Sequence, residues 1–522
     1  MSRKNPAPLF FLLLFGFVLA ARMCHRSVLW ADEDYHLAAA IQVLHGKIPY
    51  RDLWYDKPPL NLLFYLLFDA RPGWILRLAD ALFVTGTSAV AFHFGQRLWS
   101  RREGFLGASL LAFYLVFYLP DATIPLEPDT LMILPHLLAV YFAIRGRAFS
   151  AGVASGIAFL FNAKGLFVLA ICGVLCGTSV LGAGGLASLG LMLAGFAVPS
   201  AIVLGGLAAL GAFGDYIRQV WQWGLLYIQN PAPGVVQRGM AMALSWTGFH
   251  AALVLGAAVY WSKTRSKQAA QLALWAAISL IGTGLGWRFT PRYFNQLLPA
   301  LVIPAARGFA ITWEKTAASI RARGNGASKL AWITLVTLIV VAMLIPVVRF
   351  GPRYVELARD ELIGSPHHWT DVEMDQDSRR AAEIIRRLEH PGDTIFVWGY
   401  RPDMVAYSRL SVASRFWDSQ PLTGVPADRH LVSGRPIAEE WAAANRREFI
   451  QSAPAFFVDG LSILSPRLDV HLWSLRYLPP TLMKFIGPWL YPELRPWLAQ
   501  YCEVNRTRFS IIYRRCETGP AP

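Results

Sequence analysis

Two sets of ionisable side chains stand out in an otherwise apolar chain. The first runs Asp32-Glu33-Asp34, His36, Asp52 and Asp56-Lys57, ahead of Pro58-Pro59-Leu60. Adjacent carboxylates can hold a general base beside an acceptor hydroxyl. A neighbouring ammonium can match the charge of a departing phosphate. The same residues also make an ordinary hydrated acidic loop, and residue type and spacing alone do not choose between the two. The second set is dispersed: Glu127 and Asp129 around Pro128, Lys164 between two apolar runs, and Arg292-Tyr293 after Pro291. Each has a plainer reading. Glu127 and Asp129 suit a helix N-terminus, Lys57 can snorkel beside its apolar run, Lys164 can mark an outer turn, and Arg292 can anchor a helix end.

The elements that must carry these residues are membrane spans. Of the 522 residues, 55% are hydrophobic and only 16% charged, with mean hydropathy +0.38. Soluble domains carry about 25% charged residues. Apolar runs long enough for a bilayer core of about 30 Å predict about eleven spans: 8–22, 74–96, 104–119, 129–144, 149–162, 165–180, 186–210, 243–262, 269–287, 294–312 and 330–348. The net charge of +15 suggests nucleic acid until it is located: residues 353–522 balance, with 21 basic and 21 acidic side chains. The excess sits in short loops of residues 1–352, where Lys and Arg set orientation, so a nucleic-acid partner is dropped. The basic loops (Arg3 and Lys4; Arg97, Arg101 and Arg102; Arg145 and Arg147; Lys263, Arg265 and Lys267; Lys315 to Lys329) alternate, which predicts a cytoplasmic N-terminus and an outer C-terminal segment. The first apolar run is read as an uncleaved span.

The predicted organisation is therefore a transmembrane domain, 1–352, with outer loops 23–73, 120–128 and 211–242, followed by a soluble outer domain, 353–522. In the first outer loop, Leu37, Ala40, Ile41 and Leu44 recur at helical spacing and predict a helix on the membrane surface. In the loop after residue 211, Trp221, Trp223 and Tyr227 predict an interfacial helix. The outer domain reads as small α/β: a helix over 371–389 with Ala381, Ile384, Ile385 and Leu388 on one face, a strand over 394–398, a helix over 437–451, and strands over 455–459 and 509–513. Cys502 and Cys516 flank a hairpin at an oxidising location, where a bridge or two free thiols are both open. Cys172 and Cys176 read as helix packing, His36 as polar surface, His136 as a packed, hydrogen-bonded histidine, and Asp80 as a local ion pair with Arg77.

The order Asp32-Glu33-x-Tyr35, Gly46-x-x-Pro49-Tyr50-x-Asp52, Lys57-Pro58-Pro59-Leu60 resembles the first-loop signature of the class C glycosyltransferases. Within them it is most similar to the protein-mannosyltransferase and lipid A aminoarabinose-transferase branch, including the bacterial RgtA/B/C/D-like enzymes. Glu127-Pro128, Gly152, Gly156 and Lys164, and Arg292-Tyr293 with Pro299 resemble later family segments, and the likeness covers about residues 1–350. It implies an all-α polytopic membrane fold with a small outer α/β domain covering the site. It also implies transfer of one sugar, with inversion, from a polyprenyl-phosphate donor to an outer-face lipid-linked glycan, lipid A core or protein. Asp32 would be the base, Glu33 its orienting neighbour and Glu127 a second carboxylate. Lys57 and Arg292 would match the phosphate, with Tyr293, Asp129 and Lys164 completing substrate contacts. Asp34 extends the family's acidic pair to a triplet, so the choice of base among the three stays open. No convincing metal-ligand set is present, and dependence on a divalent cation stays open. The implied location is a bacterial inner membrane. The rival readings are a lipid-linked sugar flippase without chemistry and an oligosaccharide or O-antigen ligase. Charges gathered at one face and the lack of an internal repeat count against a transporter.

Overall fold

A computed structural model describes residues 6–30, 32–179, 183–229, 234–287, 289–321, 326–364, 369–424, 438–461 and 487–516. The chain forms two compact units, each drawn from separate stretches: residues 1–26, 74–203 and 233–367, and residues 27–73, 204–232 and 368–522.

Each of the eleven apolar runs overlaps a helix, and 243–262 is split between two at His250. Three helical segments, Trp74–Leu98, Gly184–Ala209 and Lys329–Ile363, are long and apolar enough to cross a membrane by themselves. A fourth candidate is the pair Val235–Phe249 and Ala251–Lys263, bent by 83°. Within the first unit, Trp74–Leu98 packs on Arg101–Val116 and on Ala7–Met23, while Ala251–Lys263 packs on Leu298–Arg321. Small residues let these backbones touch. A Cβ on Gly308 would stand 1.7 Å from the Gly256 carbonyl oxygen, and one on Gly152 would stand 1.9 Å from that of Met192. Cys172 and Cys176 are buried in the Gly165–Ser179 helix, as helix packing requires. His136 accepts a 2.8 Å hydrogen bond from the Trp275 indole, as anticipated.

Asp80 keeps its expected local pair with Arg77 and gains a second, nearer partner. Its near partner is Arg22, at 2.6 Å, with Arg77 at 4.0 Å, and all three are fully buried. Arg22 also donates to the carbonyls of Leu115 and Thr123. A buried carboxylate takes the cation that best desolvates with it, and here that cation lies on another helix.

The second unit contains a five-stranded sheet among the described residues: β1 (Thr394–Trp398), β2 (Ser411–Val412), β3 (Phe456–Asp459), β4 (Tyr501–Arg506) and β5 (Ile511–Arg515), in the order β2-β1-β3-β5-β4. β1 pairs in parallel with β2 and β3, while β5 runs antiparallel to β3 and β4. The last predicted strand thus lies two residues further on; β2 was missed because two residues carry no period, and β4 because it is exposed along most of its length and shows no apolar alternation. Thr370–Leu388 buries Ala381 and Ile385, the apolar stripe that predicted it. Cys502 and Cys516 form a disulfide across the ends of the β4–β5 hairpin. The helix Glu33–Leu44 exists, but it does not lie on a surface: every residue from Glu33 to Gln42 is buried. His36 is likewise fully buried rather than polar surface, with its Nδ1 2.6 Å from the Tyr55 hydroxyl. Its carboxylate neighbours make this helix look amphipathic only when partners from distant sequence are left out.

Candidate active site

The residues singled out above fall into two clusters, one in each unit. In the first unit, three irregular pieces converge. Glu127 has extended backbone ahead of the short helix Pro128–Leu131. Lys164 lies in the turn between Ala148–Phe161 and Gly165–Ser179. Arg292 and Tyr293 lie in the 3₁₀ turn Pro291–Gln296. Arg292 Nη1 is 2.9 Å from Glu127 Oε2, and Lys164 Nζ is 2.6 Å from Asp129 Oδ1. Lys164 Nζ also lies 3.4 Å from the centre of the Tyr293 ring, a cation–π distance. The Asn295 side-chain amide donates to the Ala122 carbonyl at 2.7 Å, tying the turn to the short helix Pro120–Thr123. Glu127 stands at the N-cap of the Pro128–Leu131 helix, but its side chain makes no cap hydrogen bond. Charge pairing has displaced capping. Arg292 is the accessible member, at 24% exposure against 1% for Glu127, 5% for Lys164 and 6% for Asp129.

In the second unit, Asp32 starts the helix Glu33–Leu44 with φ +75° and ψ −42°. A left-handed φ on a residue with a side chain costs about 1–3 kcal/mol and clusters at functional sites. Asp32 also forgoes the side-chain cap that aspartate ordinarily makes at this position. Its Oδ1 instead accepts a 2.9 Å hydrogen bond from the Tyr400 phenol. Glu33 is fully buried and Asp34 nearly so, its Oδ1 accepting the Tyr35 N–H.

Aromatic rings wall this carboxylate. Tyr35 stacks on Tyr55, with ring centres 5.4 Å apart, and on Trp417 at 4.7 Å. Tyr400 leans on Tyr35 at 5.9 Å. The Trp417 indole donates to the Trp54 carbonyl at 2.7 Å. Burial first, then the charges of Asp56 and Asp32, push the Tyr55 phenol well above its ordinary range, so it stays a donor. Lys57 is 25% exposed, 3.8 Å from Asp56. The turn presenting it is built by the Tyr50 hydroxyl on the Lys57 carbonyl, at 2.8 Å, and the Asn61 amide on the Pro58 carbonyl, at 3.0 Å. Gln219 clamps the same loop, accepting from the Tyr55 N–H and donating to the Tyr50 carbonyl, both at 2.7 Å. Asp418 is buried. Burial, with Asp56 adding to it and the Gln420 N–H opposing, pushes its carboxyl up to about 7.

Reading by motif missed Tyr400, Trp417, Asp418 and Gln219. One signal for Tyr400 was available. It follows Gly399 at the carboxyl end of β1, a parallel strand, and open α/β sheets place ligands outside that edge. Nothing local marked Gln219. Among the described residues, no group of three or more His, Cys, Asp or Glu side chains is arranged to hold a metal ion.

No protein-family model and no curated protein matches the chain. Solved structures do. ArnT from Cupriavidus metallidurans bound to undecaprenyl phosphate is similar over 99% of this chain and 100% of its own, with a TM-score of 0.56 and 15% identity. Its apo state is similar over 98% of both chains, with a TM-score of 0.55 and 15% identity. The archaeal oligosaccharyltransferase AglB from Archaeoglobus fulgidus, at a TM-score of 0.47 and 12% identity over 88% of this chain and 70% of its own, is too distant to argue from. The chain has the fold of the polytopic class C glycosyltransferases, with a small sheet domain near its C-terminus.

Proposed function

We propose that the protein is an integral-membrane glycosyltransferase that moves one sugar from a polyprenyl-phosphate donor to an acceptor on the outer face of a bacterial inner membrane. Its N-terminus lies inside and its C-terminal domain outside. The acceptor is a lipid-linked glycan, lipid A core or protein. The observation that carries this reading is Asp32, a carboxylate at a strained helix start, given a phenol in place of its cap and walled by stacked aromatic rings. The stacked rings, buried against one another, hold the loop rigid around the carboxylate, which suits an attacking hydroxyl. The similar fold of ArnT bound to undecaprenyl phosphate supports a polyprenyl-phosphate donor.

In this reading Asp32 takes the acceptor's proton as its oxygen attacks the anomeric carbon. The bond from that carbon to the phosphate oxygen breaks, and the electron pair leaves with the polyprenyl phosphate. One displacement inverts the anomeric centre. A phosphate leaves without a strong general acid but needs its charge matched, the role of Lys57. Glu33 orients the first-loop carboxylates. In the other unit, Arg292 is the cation open to an anion, Glu127 holds it, and Asp129 with Lys164 shapes the ground beneath Tyr293.

The test is mass spectrometry of envelope glycolipids and glycoproteins from cells lacking the protein, complemented with wild type, Asp32→Asn or Lys57→Met at equal expression. Wild type restores a one-sugar mass increment and the two variants do not. Restoration of the same product by Asp32→Asn would remove Asp32 as the base and favour a flippase without chemistry.

A further inference from the structure

The hydrogen bond between Tyr400 and Asp32 joins residues 368 positions apart. Two local features show that it is favoured over ordinary alternatives. Asp32 carries a left-handed φ of +75° and gives up its helix cap to make it. Tyr400 is set on a rigid base. Gly399 before it takes φ +118°, a conformation that side chains disfavour, and the Gly399 N–H donates to the Ser419 hydroxyl at 3.1 Å. The next residue, Arg401, is buried and bonded to Ser378, Ser510 and Asp377. The phenol therefore has little freedom, and the carboxylate is bent to meet it.

Resting on the transfer reading above, we propose that Tyr400 is a positioning residue: its phenol holds Asp32 Oδ1, so that the carboxylate is kept ionised and its second oxygen is aimed for proton abstraction. A hydrogen bond to the charged form of an acid favours that form. Fixing one carboxylate oxygen sets the direction of the other, and near-attack geometry tolerates little misalignment. The C-terminal sheet then contributes to turnover. The charged and titratable groups on the elements that carry the pair and its ring stack are Glu33, Asp34, Tyr35 and His36 on the helix, Tyr55, Asp56 and Lys57 on the first loop, Arg401 and Asp403 after β1, and Asp418 after β2.

The experiment uses the full chain in lipid nanodiscs with 3-fluorotyrosine placed at position 400. The fluorine resonance is followed across the acidic and neutral pH range, in the otherwise unchanged protein and with Asp32→Asn. The expected result is a titration at acidic pH that Asp32→Asn abolishes, leaving any response to the other groups in place. In cells, Tyr400→Phe lowers the rate of product formation about tenfold with little change in the donor concentration needed. The acid limb of its activity profile in membranes moves up by about one pH unit. A resonance blind to Asp32→Asn overturns the proposal, and so does a Tyr400→Phe variant with wild-type rate and pH profile. If the fluorine titration appears but wild type adds no sugar to any envelope molecule, the transfer reading falls and takes the positioning role with it.

Discussion

Arg292 and Glu127 stand 165 residues apart in the chain and 2.9 Å apart in the structure, one partly exposed and the other sealed. That asymmetry makes their substitutions unequal. Arg292→Gln takes the guanidinium away from a desolvated carboxylate, and losing one partner of a buried pair costs on the order of 3 kcal/mol. Glu127→Gln leaves a guanidinium that can still reach water, so its cost is smaller. Thermal unfolding of the purified variants checks the order. Equal melting points, or a lower one for Glu127→Gln, would contradict the assigned burial. The Lys164–Asp129 pair is buried on both sides. There Lys164→Met and Asp129→Leu should each be severe, and the double variant should recover part of the loss.

The stretch Gly152…Gly156 tests close helix packing. A Cβ at Gly152 meets the Met192 carbonyl oxygen at 1.9 Å, and one at Gly156 meets the Phe196 carbonyl oxygen at 2.7 Å. Both contacts are with backbone, which cannot swing aside. Gly177, on the next helix, has nothing within 4 Å of its added Cβ. Gly152→Ala should abolish a monodisperse peak in size-exclusion chromatography, while Gly177→Ala should elute as wild type does.

Asp418 gives the domain a pH dependence of known sign. Its carboxyl is raised to about 7, chiefly by burial. The folded protein therefore keeps a proton that the unfolded chain releases near pH 4, the ordinary value being about 3.9. Its contribution to stability is full below about pH 4 and is lost as pH rises through about 7. Asp418→Asn removes that loss. The variant should match wild type near pH 4 and melt several degrees higher at pH 8. A constant difference across the range would show that Asp418 does not titrate there.

The Cys502–Cys516 bridge closes a loop with a separation of 14 residues. A loop of that size contributes about 3 kcal/mol, and only an oxidising compartment maintains it. Reaction of isolated membranes with a maleimide polymer should modify neither cysteine before reduction and both after. Cys502→Ser should lower the melting point. Full modification without reductant would place this domain on the cytoplasmic side and overturn the proposed orientation.

What the sequence determined alone was local. Apolar runs found the helices, because burial of backbone in lipid demands a continuous apolar segment. Ala381 and Ile385 found the helix that carries them, and β1 and β3 were legible as short apolar runs. The order of residues in the first loop marked Asp32 and Lys57. Pairings between distant segments were left to the tertiary structure. Nothing near Asp80 predicts that Arg22 will outrank Arg77, and nothing near His36 predicts that Tyr55 and its neighbours will enclose it. Tyr400 looks like any tyrosine after a strand until β1 delivers it to Asp32. The physical reason is that period and composition are properties of neighbours along the chain. The partner of a buried charge is chosen by which desolvated group lies within about 3 Å, and only the packed chain decides that distance.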